Sequence, residues 1–314
     1  MKNKIIILEY FISLNPNFSD VYDSKRSEGI KMTTNFCNIL LKNNPNTKIY
    51  ILKNYKIKMS LAKQIKFLIS KTNTDWIEII KKFGQKTKIL LIAPETKNIY
   101  IRMATIIQEL GLKMLNSNLK IIGLCCSKIK LIEKLEKLKI PHVKRFNEED
   151  LFKKKIILKP DNGAGSANIF ILKKRKELKV IKNKIQFNYI LQKLYSGKKG
   201  SFSMVCYNGR NILLSCNKQL TFTNKQTIKQ IGLHSGKYEK YRTNFKYLAN
   251  LISNNFNELF GYVGVDVLKI RGEWRVLEIN ARLTSSILDI DKVYSDNVSD
   301  AIKSIYLNKR LDWK

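Results

Sequence analysis

GYVGVDVLKIRGEWRVLEINARLTS, residues 261–285, contains two β-rich runs around a central turn, and apolar residues alternate with polar ones along both runs. Successive side chains of a strand point to opposite faces, so Glu278 and Asn280, two positions apart, share one face of the second run. Asp266 lies on the first run. Carboxylate and amide oxygens are hard donors of the kind that holds Mg²⁺ beside nucleotide phosphates. The hairpin is therefore a candidate metal site.

The register of this hairpin decides whether its acids meet. A two-residue loop at 271–272 would place Asp266 opposite Leu277 and leave the two acids on opposite faces. A three-residue loop at 271–273 would place Asp266 opposite Glu278. We therefore predict an odd-length loop or a β-bulge. The alternative is an edge hairpin with solvated acids, and the strongly apolar character of the opposite face argues against it.

The composition is that of a globular protein with a large excess of positive charge. The chain has 314 residues, 44% of them hydrophobic, and is long enough to bury a core divided among two or three subdomains. Its net charge of +34 is compatible with a polyanionic partner such as nucleic acid. The lysines, however, are spread along the whole chain, and arginine is scarce. We therefore attribute the charge to composition, of the kind that an AT-rich coding sequence produces, and expect no nucleic-acid partner.

The cysteines and histidines limit which disulfide, metal and catalytic sites are possible. The five cysteines show no Cys-x-x-Cys spacing, so we expect buried small hydrophobic side chains in a reduced, cytoplasmic protein. Only two histidines are present, which argues against a histidine-based zinc site or catalytic triad. The apolar run that begins at Ile5 is too short for a signal peptide, and no stretch is long enough to span a membrane. No membrane partner is expected.

Strand and helix patterns alternate over the first 117 residues. This alternation is typical of an open α/β sheet, whose ligands lie beyond the carboxyl ends of the strands. The residues at those ends are candidate substrate contacts or ordinary strand-end residues: Glu9, Tyr10, Pro94 and Glu95. The pattern predicts strands at 4–10, 48–52 and 88–95, helices at 29–42, 75–83 and 98–110, a loop at 13–28, and either strand or helix at 64–69.

The middle of the chain combines lysines with a glycine-bearing loop. A helical region is predicted at 118–139, with Ser127 as a cap and Lys128 in the first turn after it. Residues 154–172 predict two strands joined by a loop whose small residues leave backbone N–H groups open to phosphate oxygens. The loop is not a Walker A motif, and for the glycines alone a tight turn is the simpler explanation.

The rest of the chain alternates strands with two further helices. The patterns predict a strand at 188–197, a hairpin at 200–219 around Asn208-Gly209, a mobile loop over the site at 221–240, and helices at 241–258 and 296–307.

Taken in order, these motifs resemble those of the ATP-grasp ligases. That family has a phosphate-binding basic residue before a helix that ends in an Ile-Pro turn, then Lys-Pro before a small-residue loop, a hinge that binds adenine, and finally Asp followed by Glu-x-Asn-x-Arg. The motifs match Lys128 with Ile140-Pro141, Lys159-Pro160 with Gly163, Gly165 and Ser166, the hinge residues Gln192, Lys193, Leu194 and Tyr195, and Asp266 with Glu278, Asn280 and Arg282. The chain departs from the family where Ala281 replaces a proline, and where Lys198-Lys199 occupy the place of a carboxylate that contacts ribose.

The resemblance implies a role for each matching residue. Arg282 is the implied catalytic residue, together with Lys218, which stands where the family often has a basic residue for phosphate or substrate. The implied metal ligands are Asp266, Glu278 and Asn280, for Mg²⁺ or alternatively Mn²⁺. The implied ATP-binding residues are Lys128, Lys159, Gly163, Gly165, Ser166, Gln192, Lys193, Leu194 and Tyr195.

The resemblance also implies the fold and the domain organisation. It indicates an α/β protein, with α+β character in the C-terminal part. A Rossmann-like N-terminal domain would occupy residues 1–117, a central ATP-grasp subdomain residues 118–196, and a C-terminal subdomain with the metal site residues 197–314. Homodimers are frequent in the family.

The activity that the resemblance implies is ATP-dependent ligation of a small-molecule acid to an amine through an acyl phosphate. More narrowly, residues 8–10, 92–95, 215–219 and 261–267 are similar to those of the tyramine–L-glutamate ligases of methanofuran biosynthesis, which would make the γ-carboxyl of L-glutamate the acid and tyramine the amine. Another ATP-grasp amino-acid ligase, of the D-alanine–D-alanine or glutamate-adding kind, is an alternative. So is a non-catalytic protein that binds nucleotide or nucleic acid.

Overall fold

The described residues form three β-sheets, the first parallel and the other two antiparallel. An α/β part is followed by an α+β part, as the sequence predicts. The computed structural model describes residues 4–14, 20–44, 46–84, 87–146, 148, 155–165, 168–224, 226–290 and 296–308.

The N-terminal sheet consists of β1 (Lys4–Glu9), β2 (Lys48–Asn54), β3 (Ile65–Ser70), β4 (Lys88–Ile92) and β5 (Lys113–Met114). All strands are parallel, in the order β3-β2-β1-β4-β5. The central strands are runs of Ile and Leu because both faces of the sheet are covered: Ile5 and Ile7 join one apolar cluster, and Ile6 and Leu8 join another. The undecided run at 64–69 is a strand.

Among the described residues, four α-helices accompany this sheet: α1 (Tyr10–Ser13), α2 (Asp20–Leu41), α3 (Asp75–Lys81) and α4 (Ile99–Glu109). The loop predicted at 13–28 is wrong from Asp20 onward, because α2 begins there. Residues 20–28 are mostly charged or polar and show no apolar period, and Arg26 is buried among them. The pattern that marks a helix to sequence reasoning is therefore missing in the first two turns.

The central part contains α5 (Leu119–Cys126), α6 (Lys128–Lys137), β6 (Ile156–Pro160), β7 (Phe170–Leu172), α7 (Arg175–Lys182) and β8 (Tyr189–Lys193). Its antiparallel sheet has the order β7-β6-β8. The helical region predicted at 118–139 is two helices, because Ser127 has an extended backbone. The Ser127 hydroxyl accepts a hydrogen bond from the Lys130 N–H at 3.2 Å, which confirms it as a helix cap.

The C-terminal part contains β9 (Lys199–Tyr207), β10 (Arg210–Thr223), β11 (Ile228–His234), α8 (Arg242–Asn255), β12 (Gly261–Ile270), β13 (Glu273–Asn280) and α9 (Asp296–Lys303). The strand order is β11-β10-β9-β12-β13. Asn208 and Gly209 both have positive φ, as the predicted tight hairpin requires. The mobile loop predicted at 221–240 is wrong, because β10 and β11 extend through most of it as a long hairpin.

One apolar cluster joins the first and last parts of the chain. It combines Ile5 and Phe36 with Val205, Tyr262 and Tyr306. Each sheet lies within one of the three predicted domain ranges, whose boundaries stay a prediction. All five cysteines are buried, as predicted. None of the described helices has the length and apolar character that a membrane span needs.

Glu9 is the last residue of β1, and its carboxyl group is buried. Its carboxylate accepts a hydrogen bond from the Ile12 N–H at 2.8 Å and so caps α1. Gly29 of α2 packs against this carboxylate, where a Cβ would lie 2.7 Å from the carboxyl carbon. Burial raises the pKa of Glu9 to about 8.

We predict that Glu9→Gln removes a pH dependence of stability. Because the folded-state pKa of Glu9 lies above its unfolded value, the native protein binds the proton more tightly, and its stability falls as pH rises between the two values. From pH 5 to pH 8 the free energy of unfolding of the wild type should fall by roughly 2–4 kcal/mol relative to the variant. Urea denaturation at both pH values measures this. Parallel curves for the two proteins would contradict it.

Candidate functional site

The hairpin of β12 and β13 brings its two acids face to face. The turn has two residues, Arg271 and Gly272, both with positive φ, so the predicted three-residue loop is wrong. The predicted alternative, a bulge, is confirmed: the register shifts next to Asp266, which then pairs with Glu278, while Leu277 has no partner across the strands. A bulge changes the alternation by one residue and so corrects the faces that a two-residue turn would impose.

Burial and mutual repulsion make the two carboxylates unequal. Burial, with the neighbouring charge of Glu278, raises the pKa of Asp266 to about 7. Burial would also raise the pKa of Glu278, but the ammonium groups of Lys128 and Lys159 outweigh it and hold that pKa below its usual value. A proton shared by the pair therefore resides on Asp266, and a cation between the acids would displace it.

Lys128 is the first residue of α6 and faces this acid pair. Its ammonium group lies 3.0 Å from a Glu278 carboxylate oxygen and donates to the Gly163 carbonyl at 2.9 Å. The side chain is 6% exposed, so this ion pair is largely shielded from water. The structure thus brings Glu278 together with Lys128, the lysine for which the sequence resemblance implies a phosphate-binding role.

Asp161, which sequence reasoning did not single out, fixes the start of α6. Its carboxylate accepts hydrogen bonds from the Ile129 N–H at 2.8 Å and from the Ser127 hydroxyl at 2.9 Å. Its carbonyl accepts from the Lys128 N–H at 3.2 Å. The loop after β6 therefore holds the first turn of α6, and with it Lys128.

Lys159 is the second buried lysine of the site. Burial, and then the charge of Lys128, lower its pKa to about 8. Among the described residues no carboxylate lies within ion-pair distance of its ammonium group, although the charges of Glu278 and Asp266 reach it. A buried ammonium group without an anionic partner is a ready binding group for phosphate oxygens.

The glycine-bearing loop after β6 is bonded to the short segment between β4 and α4. The Ala164 N–H donates to the Thr96 hydroxyl at 3.2 Å, and the Asn162 amide donates to the Asn98 side chain at 2.7 Å. Gly165 has positive φ, a conformation that favours glycine. Ser166, the remaining member of the predicted phosphate loop, lies outside the described residues.

Arg282 is held by a buried bidentate ion pair. Its Nε and Nη2 donate to the two carboxylate oxygens of Glu95 at 2.6 and 2.7 Å, and Nη1 donates to the Leu283 carbonyl at 3.1 Å. Burial would lower the pKa of Arg282, but Glu95 outweighs it and raises that pKa. Glu95 and Glu9, which the sequence leaves open as substrate contacts or ordinary strand-end residues, both use their carboxylates inside the protein. Glu95 positions Arg282 instead.

The neighbours Lys218 and Gln219 lie on opposite faces of β10. The Gln219 amide donates to an Asp266 carboxylate oxygen at 2.8 Å. Lys218 pairs with Gly200, whose Cβ position faces Tyr238 on the other side of the sheet. The structure thus separates Lys218 from the acids, contrary to its expected role, and places Gln219 there. Strand alternation is the signal that could have found this.

The hinge after β8 borders an apolar cluster. Val143, Leu268 and Ile270 form this hinge cluster, and Tyr195 and Leu277 pack against it. Leu268 and Ile270 lie on the same face of the sheet as the acid pair.

Three of the hinge residues predicted to bind nucleotide already make contacts within the protein. The Gln192 amide is buried and donates to the Val143 carbonyl at 2.8 Å, so its side chain braces the hinge rather than facing a ligand. The Leu194 N–H donates to the Lys155 carbonyl at 2.9 Å. The Lys193 ammonium group lies 5.0 Å from the Tyr195 ring centre.

The donor set suits a magnesium ion that is shared with a phosphate ligand. Asn280 lies on the same face as Glu278, two residues further along β13, and pairs with Gly264. No group of three or more His, Cys, Asp or Glu among the described residues could hold a metal alone. Mg²⁺ is commonly held by one or two carboxylates together with waters and phosphates, which fits Asp266 and Glu278.

Comparison with known proteins agrees with this arrangement. The sequence model of the family described as ATP-grasp domain matches residues 125–286, just over half of the chain. The comparison with curated protein sequences found no match.

Solved structures show the same fold at low sequence identity. The protein is similar to an ATP-grasp superfamily protein from Archaeoglobus fulgidus, at 19% identity and a TM-score of 0.72, over 96% of this chain and 88% of that one. It is similar to D-alanine–D-alanine ligase from Bacillus anthracis, at 15% identity and a TM-score of 0.60, over 98% of both chains. It is also similar to a biotin carboxylase domain from Hydrogenobacter thermophilus bound to MgADP, at 13% identity and a TM-score of 0.63, over 92% of this chain and 69% of that one.

We predict that Glu95→Ala lowers stability by about 3–5 kcal/mol, because it leaves the buried Arg282 guanidinium without its counter-charge. The matched control is Glu78→Ala, which breaks an exposed ion pair with Lys81 and should cost roughly 0–1 kcal/mol. Chemical denaturation compares the two. The double variant Glu95→Ala/Arg282→Met should recover part of the loss. An equal loss of stability in the two single variants would show that the buried Glu95–Arg282 pair stabilises the protein no more than the exposed pair does.

Proposed function

Because the chain belongs to the ATP-grasp domain family, we propose that it is an ATP-dependent ligase that joins a carboxylic acid to an amine. The observation that carries this proposal is the convergence of four separate elements on one face. The paired acids Asp266 and Glu278 meet Lys128 from α6, Lys159 from β6 and the Glu95-anchored Arg282. A protein that only binds a partner would not need this combination of buried charges.

In this proposal the phosphates of ATP lie between the lysines and the acid pair. Lys128 and Lys159 bind phosphate oxygens, and the N–H groups around Gly163 and Gly165 approach them from the loop. Asp266, Glu278 and Asn280 hold Mg²⁺, or Mn²⁺, whose charge offsets that of the phosphates when it is bound. Two further observations support this assignment: Lys159 has no anionic partner among the described residues, and Asp266 has a raised pKa.

The adenine base is proposed to lie against the hinge cluster. Tyr195, Leu268 and Leu277 offer it apolar surface. The Lys193 side chain lies beside Tyr195. The hinge cluster and the acid pair share one face of the sheet, so base and phosphates can be bound in one cleft along that face.

The reaction proposed is attack of a substrate carboxylate on the γ-phosphoryl group of ATP. This forms an acyl phosphate and releases ADP, and the amine then attacks the acyl carbon and releases inorganic phosphate as the amide forms. Positioning and charge neutralisation are the protein's contribution to such a transfer. Arg282, fixed by Glu95, would stabilise negative charge on the transferred phosphoryl group and on the tetrahedral intermediate.

For the substrates we propose L-glutamate through its γ-carboxyl and tyramine or a tyrosine-like amine. What supports this is the similarity of the segments 8–10, 92–95, 215–219 and 261–267 to tyramine–L-glutamate ligases. A D-alanine–D-alanine type of ligase is the second candidate, favoured by a structural match that spans 98% of both chains.

The test is release of ADP from MgATP with a panel of acids and amines, beginning with L-glutamate and tyramine. We predict turnover that requires both an acid and an amine and is lost in the Asp266→Asn/Glu278→Gln variant. The pair that supports turnover names the substrates. Tight binding of MgATP without turnover for any pair would instead favour a non-catalytic nucleotide-binding protein.

Substitutions of the β10 neighbours Gln219 and Lys218 should differ in their effect on Mn²⁺ binding. Gln219→Leu removes the hydrogen bond that orients Asp266 and should weaken Mn²⁺ binding, in the presence of a non-hydrolysable ATP analogue, by about tenfold. Lys218→Met, on the opposite face, should leave it nearly unchanged. Electron paramagnetic resonance of Mn²⁺ measures both. A larger effect at Lys218 than at Gln219 would reverse the assignment of the two residues.

A further inference from the structure

Lys199 is the first residue of β9 and lies on the face of the sheet that carries the acid pair. It pairs with Leu268 of β12, and two residues further along Ser201 pairs with Asp266. Paired residues of antiparallel strands point to the same face, and so do residues two apart. Lys199 and Leu268 therefore stand about 7 Å along the strands from Ser201 and Asp266.

The neighbours of Lys199 confirm the direction of its side chain. A Cβ at Gly200 would lie 3.0 Å from the Tyr238 ring, on the far side of the sheet. Lys198 points to that same side, where its ammonium group donates to the Tyr241 hydroxyl at 3.1 Å. Two adjacent lysines are thus directed to opposite faces, and it is Lys199 that faces the cleft.

Lys199 is a cation without a counter-charge in the described structure. Its side chain is partly buried, and burial lowers its pKa. Its charge reaches Lys159, whose pKa it lowers. Among the described residues no carboxylate forms an ion pair with it, and the sequence from 194 to 200 contains no acid. An ammonium group that loses solvation and gains no partner is accounted for when an anion occupies the cleft beside it.

The order of groups along the cleft identifies the anion. Lys199 stands beside Leu268 of the hinge cluster, and the acid pair at Asp266 lies about 7 Å further along the strands. A nucleotide with its base against the hinge cluster and its terminal phosphates at the metal spans this interval, so its sugar and its α-phosphate lie within reach of the Lys199 side chain. An ammonium group prefers the phosphate to a neutral hydroxyl because the charged hydrogen bond is stronger.

We propose that Lys199 binds the α-phosphate of the nucleotide, and that the protein selects its nucleotide by base and phosphates rather than by the ribose hydroxyls. This inference rests on the proposed function, because it takes the hinge cluster and the acid pair to be the two ends of one nucleotide site. Its consequence is specific to this chain: because residues 194–200 offer the sugar a cation and no carboxylate, 2′-deoxyATP should bind nearly as well as ATP.

The experiment measures dissociation constants of MgATP and Mg-2′-deoxyATP by isothermal titration calorimetry for the wild type, Lys199→Met and Lys198→Met. The two variants remove the same charge from adjacent residues on opposite faces, so Lys198→Met controls for the general positive charge of the protein. We expect wild-type affinities for the two nucleotides within about threefold. Lys199→Met should weaken both by about tenfold, the loss of one hydrogen bond to a charged group, and Lys198→Met by less than about twofold.

Each other outcome overturns a distinct claim. Equal losses in the two variants would show that only overall charge matters and overturn the role of Lys199. A loss in Lys199→Met for ATP but not for 2′-deoxyATP would place its ammonium group on the 2′-hydroxyl and overturn the α-phosphate contact. A wild type that binds neither nucleotide would refute the proposed function itself. Circular dichroism spectra establish that the variants are folded.

Discussion

The rest of the site depends on one constraint: a β-bulge places two carboxylates opposite each other on a buried face. Without the bulge at Leu277, the two-residue turn would pair Asp266 with Leu277 and leave Asp266 and Glu278 on opposite faces of the sheet. With it, two like charges lie close together where water cannot screen them, and such a pair is costly unless positive charge is supplied. Lys128 supplies it directly, at 3.0 Å from Glu278, and Lys159 does so at longer range.

The groups that satisfy the acids come from every part of the chain, and a short segment after β4 connects them. Glu95 holds Arg282, Thr96 and Asn98 hold the glycine-bearing loop, and the Tyr100 hydroxyl donates to the Ala281 carbonyl at 2.8 Å. The segment has two consecutive residues with positive φ, an uncommon backbone that persists only where its surroundings impose it. The N-terminal sheet is therefore part of the site, because it sets where Arg282 and the phosphate loop lie.

The sequence predicts those parts of the site that local pattern controls. Alternation along 261–280 is enough to require a bulge or an odd loop, and the ordered motifs are enough to indicate the fold. The partners of these residues could not be predicted, since Glu95 lies 187 positions from Arg282 and Gln219 lies 47 positions from Asp266. Such residues come into contact only in the folded chain, and no local sequence pattern indicates these contacts.

Two further differences concern charged side chains. The sequence pattern does not mark α2 at 20–28, because its early turns bury a charged residue, Arg26, in place of an apolar one. Charge singles out Lys218, although strand alternation places Gln219 on one face and Lys218 on the other. In a chain with 59 basic residues, charge alone discriminates poorly between site and surface. The direction of a side chain is the better guide.

The balance of charge within the cleft differs from that of the whole protein. The chain carries a net charge of +34, yet in the cleft the four cations Lys128, Lys159, Lys199 and Arg282 face three carboxylates, those of Asp266, Glu278 and Glu95. Two of these groups are easily neutralised, since the pKa of Lys159 is about 8 and that of Asp266 about 7. A phosphate group would favour the charged form of Lys159, and a metal ion the charged form of Asp266. Each ligand thus strengthens the charge that binds it, so local desolvation rather than the overall positive charge makes the cleft receptive to a metal–phosphate complex.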